Sequence, residues 1–145
     1  SVTHAFLVRD PAPMLASLGG KLGHFELEAT GLPQQVEIFD FVRRRTGRIP
    51  PVVDAADLLA APGPTLRALC AALGIPFAER MLSWPAGRRA TDGVWAKHWY
   101  DRVERSTGFE PAEAAVVPHL HGRLAELEAQ CRPLYEHLHA HRLRA

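Results

Sequence analysis

The stretch FLVRDPAPMLAS, residues 6–17, joins an apolar run to an Arg-Asp-Pro corner and the start of a helical pattern. An apolar strand is predicted over residues 5–8. Asp10 is a good helix N-cap and Pro11 suits a first helical position, so a helix is predicted from there to about Leu22. A buried strand followed directly by a helix is the unit from which parallel α/β sheets are built.

The rest of the chain alternates helical patterns with one more short apolar strand. This order, with short strands, predicts an α/β layered fold that is rich in helix. The predicted elements are a helix over about 33–45, a strand over 49–53, a helical turn over 54–58, a helix over 62–73, a loop-like stretch over 78–109 and a mostly helical tail over 110–145.

Apolar residues of the tail recur in alternating steps of three and four, which is heptad spacing. Pro118 and Pro133 lie inside this pattern and are expected to kink or split the helix. A long bent helix or a helix hairpin, packed on a single domain over 1–145, is therefore favoured over a continuous coiled coil. The same spacing leaves a homodimer open. The residues are Val117, Leu120, Leu124, Leu127, Cys131, Leu134 and Leu138.

The composition is that of an ordinary globular protein, with 47% hydrophobic and 23% charged residues among 145. A net charge of +1 gives no basic field that would predict a nucleic-acid partner. No apolar run approaches the roughly 18–20 residues of a membrane span, so no membrane partner is expected. Cys70 and Cys131 form no CxxC pair, which predicts buried thiols in a reducing compartment. We expect a cytoplasmic protein.

Arg9 ends the first strand, and the carboxyl ends of parallel strands are where open α/β folds bind ligands. Its planar guanidinium can donate two parallel hydrogen bonds to a phosphate. Ser17 lies on the outer side of the following helix, from which a hydroxyl could reach the same phosphate. Spacing alone favours a plainer interpretation, in which Arg9 pairs with a carboxylate and Ser17 is solvated.

Arg9-Asp10-Pro11 followed by Ser17 resembles the Arg-Asp-Pro…Ser motif of the PAPS-dependent sulfotransferases, in which the arginine and serine bind the 3′-phosphate of the nucleotide. The stretch VVDAADLLAAPGPTLRALCAALGIP, residues 52–76, resembles the family's strand, Glu-Asp-Leu signature and helix ending in Leu-Gly-Ile-Pro. Asp57 and Leu58 are what remains of that signature.

The stretch RRATDGVW, residues 88–95, resembles the family's Arg-Lys-Gly-x-x-Gly-x-Trp loop, which closes over the nucleotide. Arg88, Arg89, Gly93 and Trp95 match that loop in type and spacing, and Ala90 stands in place of its first glycine. The missing side chain of Gly93 lets the backbone approach a phosphate, and Trp95 can stack on a purine.

The resemblance covers nearly the whole chain and is closest to a bacterial group of sulfotransferase-like proteins. It implies the C-terminal part of a three-layer P-loop-type domain with a parallel sheet, PAPS as the cosubstrate, and no metal. The cofactor-binding residues it implies are Arg9, Ser17, Arg88, Arg89, Gly93 and Trp95.

The family's 5′-phosphosulfate loop and general base have no counterpart in these residues, so no catalytic residue is assigned here. The chain begins with Ser1 and enters an apolar strand at once, from which we expect upstream sequence. The parent protein is expected to transfer a sulfuryl group to the hydroxyl or amine of an unknown acceptor, whereas this chain alone is expected to be inactive.

Two other functions stay open at this point. The chain could be a non-catalytic interaction module that keeps the sulfotransferase scaffold and binds a partner through the heptad-spaced tail. It could also belong to another P-loop transferase, such as a kinase, with Asp54 ending a Walker-B-like strand. A zinc site is not predicted, because only His137 and His141 share one helical face and zinc needs further ligands.

Overall fold

The computed structural model describes residues 2–89, 91, 93, 101–110 and 118–144. Short strands alternate with helices in the order that the sequence predicts. In chain order the elements are β1 (Phe6–Val8), α1 (Pro11–Leu22), α2 (Leu32–Thr46), β2 (Val52–Asp54), α3 (Ala55–Ala60), α4 (Pro62–Leu73), α5 (Asp101–Arg105) and α6 (Arg123–His139), with 3₁₀ turns at Leu27–Thr30 and Glu79–Met81.

The first helix begins and ends where the sequence predicts. The Asp10 carboxylate caps α1 by accepting a hydrogen bond from the Ala12 backbone N–H at 2.9 Å. Pro11 occupies the first helical position, where its missing N–H breaks no helical hydrogen bond. Gly23 stops the helix at a φ of +68°, a conformation that side chains other than glycine rarely adopt.

The two strands are parallel and pair Phe6 with Val52 and Val8 with Asp54. The predicted strand over 49–53 was placed too early, because β2 begins at Val52. The two prolines before it have no N–H to donate to a ladder. The end of the chain then runs along the other edge of β2, where the Leu143 N–H donates to the Val52 carbonyl at 2.8 Å.

The core lies on one face of this sheet, between the strands and the helices α1, α2 and α6. Side chains on a strand alternate between faces, so Phe6, Val8 and Val52 point to the same side. The buried core cluster comprises Phe6, Val8, Leu15, Phe25, Leu32, Phe39, Val52, Leu127, Cys131, Tyr135 and Leu138. The helical spacing of Leu15, Leu18 and Leu22 predicts one buried stripe on α1, but Leu22 at the last position of the helix is 47% exposed.

The two prolines of the tail differ in their effect on the C-terminal helix. Residues 118–122 are not helical, so Pro118 precedes α6, and residues 111–117 lie outside the described part of the chain. Pro133 lies inside α6, which continues through it. The proline removes the hydrogen bond to the carbonyl of Ala129, and this residue is exposed, so water can satisfy that carbonyl.

The opposite face of the sheet is less covered. Leu7 points to that side and is 59% exposed, although its neighbour Val53 on β2 is buried. Within the described residues β1 pairs with β2 alone, and the larger three-layer P-loop-type sheet stays a prediction. No helix in this part of the chain is both long and apolar enough to cross a membrane.

Candidate functional site

Arg9 and Ser17 both lie on the surface, on the unit formed by β1 and α1. Arg9 directly follows the carboxyl end of β1, and Ser17 lies on the exposed side of α1. Neither side chain has a hydrogen-bond or ion-pair partner among the described residues. The carboxylate partner that the plainer interpretation gives Arg9 is therefore not found in this part of the chain.

Asp10, between Arg9 and α1, has its carboxylate fully engaged. Arg132 of α6 donates from Nη1 to Asp10 Oδ2 at 2.8 Å and from Nη2 to Asp10 Oδ1 at 3.2 Å. This paired geometry is the strongest that arginine makes with a carboxylate. The hydrogen bond from Arg132 is the main cause that lowers the pKa of Asp10, against a smaller opposing effect of burial. Asp10 is therefore ionised at neutral pH.

Arg132 is itself held by neighbours on its own helix. Its Nε donates to Glu128 Oε1 at 2.8 Å, one helical turn earlier. Its guanidinium lies over the ring of Tyr135, 5.5 Å from the ring centroid. These two contacts hold the arginine in place independently of Asp10. The pKa of its guanidinium is raised, and the hydrogen bond to Asp10 is the largest cause.

Asp54 is the last residue of β2, and its carboxylate resembles that of Asp10 in capping a helix and binding a side chain of α6. Its Oδ1 caps α3 by accepting from the Ala56 N–H at 2.8 Å and the Asp57 N–H at 3.4 Å. Its Oδ2 accepts from the hydroxyl of Tyr135 at 2.9 Å. Burial, and then the hydrogen bond to Asp54, raise the pKa of the Tyr135 hydroxyl. One helix, α6, therefore holds the aspartates at the carboxyl ends of both strands.

Asp57, one of the two residues left from the Glu-Asp-Leu signature, is also tied to the C-terminal segment. Arg142 donates from Nε to Asp57 Oδ2 at 3.0 Å. Its Nη1 also donates to the carbonyl of His139 at 3.4 Å. This contact explains the acidic residue at 57 by a structural role in the described fold.

The described residues of the second predicted motif, Arg88, Arg89 and Gly93, lie between α4 and α5 in the chain and belong to neither helix. Arg88 is exposed and approaches Glu104 of α5, with 3.8 Å between Arg88 Nε and Glu104 Oε1. The Gly87 N–H donates to the Glu104 carbonyl at 2.7 Å, and Gly87 has the positive φ of this turn, +111°. Arg89 is also exposed.

Gly93 is exposed, and the described fold gives no reason for glycine there. Its φ lies outside the left-handed region, and an added Cβ would meet no described atom within 4 Å. A ligand that needs close backbone approach would supply such a reason. Trp95 and Ala90 lie outside the described residues, so the structure adds nothing on these two predictions.

The two predicted halves of the site are not joined by a direct contact. Among the described residues, neither a hydrogen bond nor an ion pair connects the side chains of Arg9 and Ser17 with the loop at 87–89. The loop is instead anchored through Trp84, whose Nε1 donates to Ser106 Oγ at 3.1 Å.

Two residues of α6 were not predicted from the sequence, namely Arg132, which binds Asp10, and Tyr135, which binds Asp54. Arg132 and Tyr135 are spaced i, i+3 and therefore lie on one face of the helix. Glu128 precedes Arg132 by four residues, the spacing of a stabilising pair on a helix. The available signal was that Glu128 and Arg132 lie beside the heptad-spaced apolar residues of the tail. Which aspartate Arg132 binds depends on tertiary packing.

The α/β fold thus places an exposed guanidinium directly after a parallel strand and an exposed hydroxyl on the helix that follows it. In the described part of the chain no three His, Cys, Asp or Glu side chains are grouped as metal ligands. The sequence profile of the sulfotransferase domain family matches residues 1–142. The chain belongs to this family.

Two curated relatives from Arabidopsis thaliana are similar over almost the whole chain. The branched-chain-amino-acid aminotransferase-like protein 2 is 37% identical over 140 residues, which are 95% of this chain and 24% of that protein. The branched-chain-amino-acid aminotransferase-like protein 1 is 38% identical over 140 residues, again 95% of this chain and 24% of that protein. The chain thus spans about a quarter of the relatives it matches. No solved structure matches it.

Proposed function

We propose that this chain is the nucleotide-binding portion of a PAPS-dependent sulfotransferase, in which Arg9 and Ser17 bind the 3′-phosphate. The observation that carries the proposal is that both side chains are exposed on the β1–α1 unit and lack a partner among the described residues. Donors that the described fold does not use, at the carboxyl end of a parallel strand, are suited to an anionic ligand.

The other predicted donors fit the same group. Arg88 would complete the phosphate site from the second loop, where its present neighbour Glu104 is 3.8 Å away and holds it weakly. Gly93 leaves space for backbone to approach a phosphate, and Arg89 adds a second cation to the loop. When bound, PAPS supplies the activated sulfuryl group. The residues of this chain bind and orient its 3′-phosphate end.

We propose that transfer to an acceptor hydroxyl or amine is an activity of a longer parent protein. The chain corresponds to about a quarter of its two relatives. The β1 edge that lacks a partner in the described residues, next to the exposed side chain of Leu7, is a place where a parallel sheet of the P-loop type could continue. The phosphosulfate loop and the general base would belong to that additional part, and this chain alone would be inactive.

Calorimetric titration of the full-length protein tests the nucleotide site. The ligands are adenosine 3′,5′-bisphosphate and adenosine 5′-phosphate, which differ by the 3′-phosphate. We expect Arg9→Ala to weaken the bisphosphate by about a hundredfold and Ser17→Ala by about tenfold, as expected for charged and neutral donors respectively. Arg48→Ala, which removes an exposed arginine near the start of β2, is the control. Equal binding of both nucleotides, or binding indifferent to Arg9→Ala, would reject the proposal.

The two alternative functions find less support in the contacts. Leu127, Cys131 and Leu138 of the heptad pattern are buried in the chain's own core, so these three side chains are not available to a partner. A kinase-type metal site at Asp54 would need a carboxylate oxygen to be accessible. Both oxygens of this residue already accept hydrogen bonds, and it is only 3% exposed.

A further inference from the structure

The position of Asp10 creates an electrostatic problem for the proposed phosphate site. It is the immediate neighbour of Arg9, and its lowered pKa keeps it ionised at neutral pH. A carboxylate so close to a phosphate-binding arginine acts against binding in two ways. It can pair with the guanidinium, and it repels the incoming dianion.

The structure shows how this carboxylate is engaged elsewhere. Asp10 Oδ2 accepts from Arg132 Nη1 at 2.8 Å. Its Oδ1 accepts from the Ala12 N–H at 2.9 Å and from Arg132 Nη2 at 3.2 Å. Both oxygens are therefore turned toward α1 and α6, and Arg9 forms no ion pair with Asp10.

Arg132 is set in place by contacts that do not involve Asp10. Glu128 accepts from its Nε at 2.8 Å, and the Tyr135 ring lies beneath its guanidinium. Tyr135 is in turn bound to Asp54 at the end of β2. Arg132 is thus connected through Tyr135 to Asp54 at the end of β2, while its guanidinium binds Asp10 after β1. Such a preset donor loses less conformational entropy when it binds its partner.

We infer that Arg132 is a positioning residue for phosphate binding: it holds and neutralises Asp10, and so leaves Arg9 available to the 3′-phosphate. Arg132 does not touch the phosphate in this arrangement. The inference rests on the proposed function, because it needs Arg9 to bind the 3′-phosphate. It adds a residue from the C-terminal helix, 122 positions away from Asp10, to the determinants of affinity.

The inference makes a prediction that a simple structural role does not. If Arg132 acts by neutralising Asp10, it should become dispensable once Asp10 carries no charge. Asn is as good a helix N-cap as Asp, so Asp10→Asn removes the charge and keeps the cap of α1. The rescue of an Arg132 variant by Asp10→Asn therefore separates electrostatic shielding from mere anchoring of α6.

The experiment measures binding of adenosine 3′,5′-bisphosphate and adenosine 5′-phosphate to the full-length protein by calorimetry, with folding checked by circular dichroism. Arg132→Gln should weaken the bisphosphate by about tenfold, the size of a typical coupling between sites, and leave the 5′-phosphate unchanged. Adding Asp10→Asn should restore the affinity. Arg123→Gln, on the same helix but bound to Glu26 and Glu126, is the matched control and should have no effect.

The outcomes distinguish this inference from the proposed function. Unchanged bisphosphate binding in a folded Arg132→Gln variant, or a loss that Asp10→Asn does not restore, overturns the inference and leaves the phosphate site standing. If Arg132→Gln alone does not fold, the Asp10→Asn variant is compared with the double variant Asp10→Asn, Arg132→Gln. Weaker binding of the bisphosphate by the double variant would then overturn the inference. An unmodified protein that does not prefer the bisphosphate overturns the proposed function itself.

Discussion

Tyr135 of α6 donates its hydroxyl hydrogen to Asp54 Oδ2 at 2.9 Å, and so connects the last helix to the end of β2. Both residues are buried. The other oxygen of Asp54 caps α3, so one carboxylate joins three elements of the fold. A buried carboxylate is tolerated only where its oxygens are hydrogen-bonded, which makes this contact a determinant of stability.

Removal of the Tyr135 hydroxyl should destabilise the fold. Tyr135→Phe keeps the ring but leaves Asp54 Oδ2 buried without its donor, and we expect a loss of about 1–3 kcal/mol in the free energy of unfolding. Urea denaturation measures it. Ser17→Ala, which deletes an exposed hydroxyl with no partner among the described residues, is the matched control and should change stability by no more than about 0.5 kcal/mol. Equal effects of the two changes would show that the contact contributes nothing.

The Tyr135 hydroxyl should also resist ionisation. Its pKa is raised by burial and by the Asp54 carboxylate, so the neutral form is favoured in the folded protein. Its contribution to stability is complete below about pH 10, the ordinary tyrosine value, and is lost as the pH rises through the folded-state pKa. The protein should therefore become less stable with rising pH in this alkaline range.

Ultraviolet difference absorbance measures this ionisation. The 145 residues of this chain contain two tyrosines, so within them Tyr100→Phe leaves Tyr135 as the single phenol. In this variant, phenolate should appear well above pH 10, or together with unfolding as seen by circular dichroism. A transition of the folded variant near pH 10 would contradict the expected shift.

The local elements could be predicted from sequence because their signals are local. Asp10, Pro11 and Gly23 determine the bounds of α1 through an N-terminal cap, a preset φ and a left-handed stop, and all three lie at the ends of the helix itself. Whether Pro133 would split α6 could not be predicted in the same way, because the cost of a proline in a helix depends on burial. An exposed turn can leave one carbonyl to water, and the sequence does not state which turns are exposed.

The candidate site was predictable only in part. Arg9 and Ser17 follow from a short motif and from their place at the end of a strand. The partners of Asp10 and Asp54 come from Arg132 and Tyr135, which approach only after α6 packs on the sheet. Such pairs depend on tertiary geometry, and a single sequence carries no direct signal for them.

Alanine at two glycines near the end of α1, Gly20 and Gly23, should change the stability of the protein in opposite directions. Gly20 lies inside the helix, is exposed, and has no atom within 4 Å of an added Cβ. Gly20→Ala should stabilise the protein by about 0.5–1 kcal/mol, since alanine loses less backbone entropy. Gly23→Ala should cost about 1–2 kcal/mol, because Gly23 has a φ of +68°. Thermal unfolding measures both, and a stabilising Gly23→Ala would contradict the assigned helix end.

Glu104 should oppose nucleotide binding if the loop at 87–89 closes on the phosphate. It lies 3.8 Å from Arg88 and adds a negative charge beside the proposed site. Glu104→Gln should tighten binding of adenosine 3′,5′-bisphosphate about twofold to threefold, in line with a weak exposed ion pair. Glu79→Gln, which removes the partner of Arg67 on α4, is the control in the same calorimetric titration. Weaker binding by the Glu104 variant would place Arg88 outside the phosphate site.

The long-range contacts of α6 have a consequence for biosynthesis. Arg132 binds Asp10, which follows β1, and Leu143 pairs with Val52 of β2, so both strands depend on residues that are translated about 90 to 120 positions later. A nascent chain that stops short of α6 exposes the apolar side of both strands and cannot yet fold around them. Stable folding of this region should therefore begin only after α6 has left the ribosome, and until then the uncovered strands can bind chaperones.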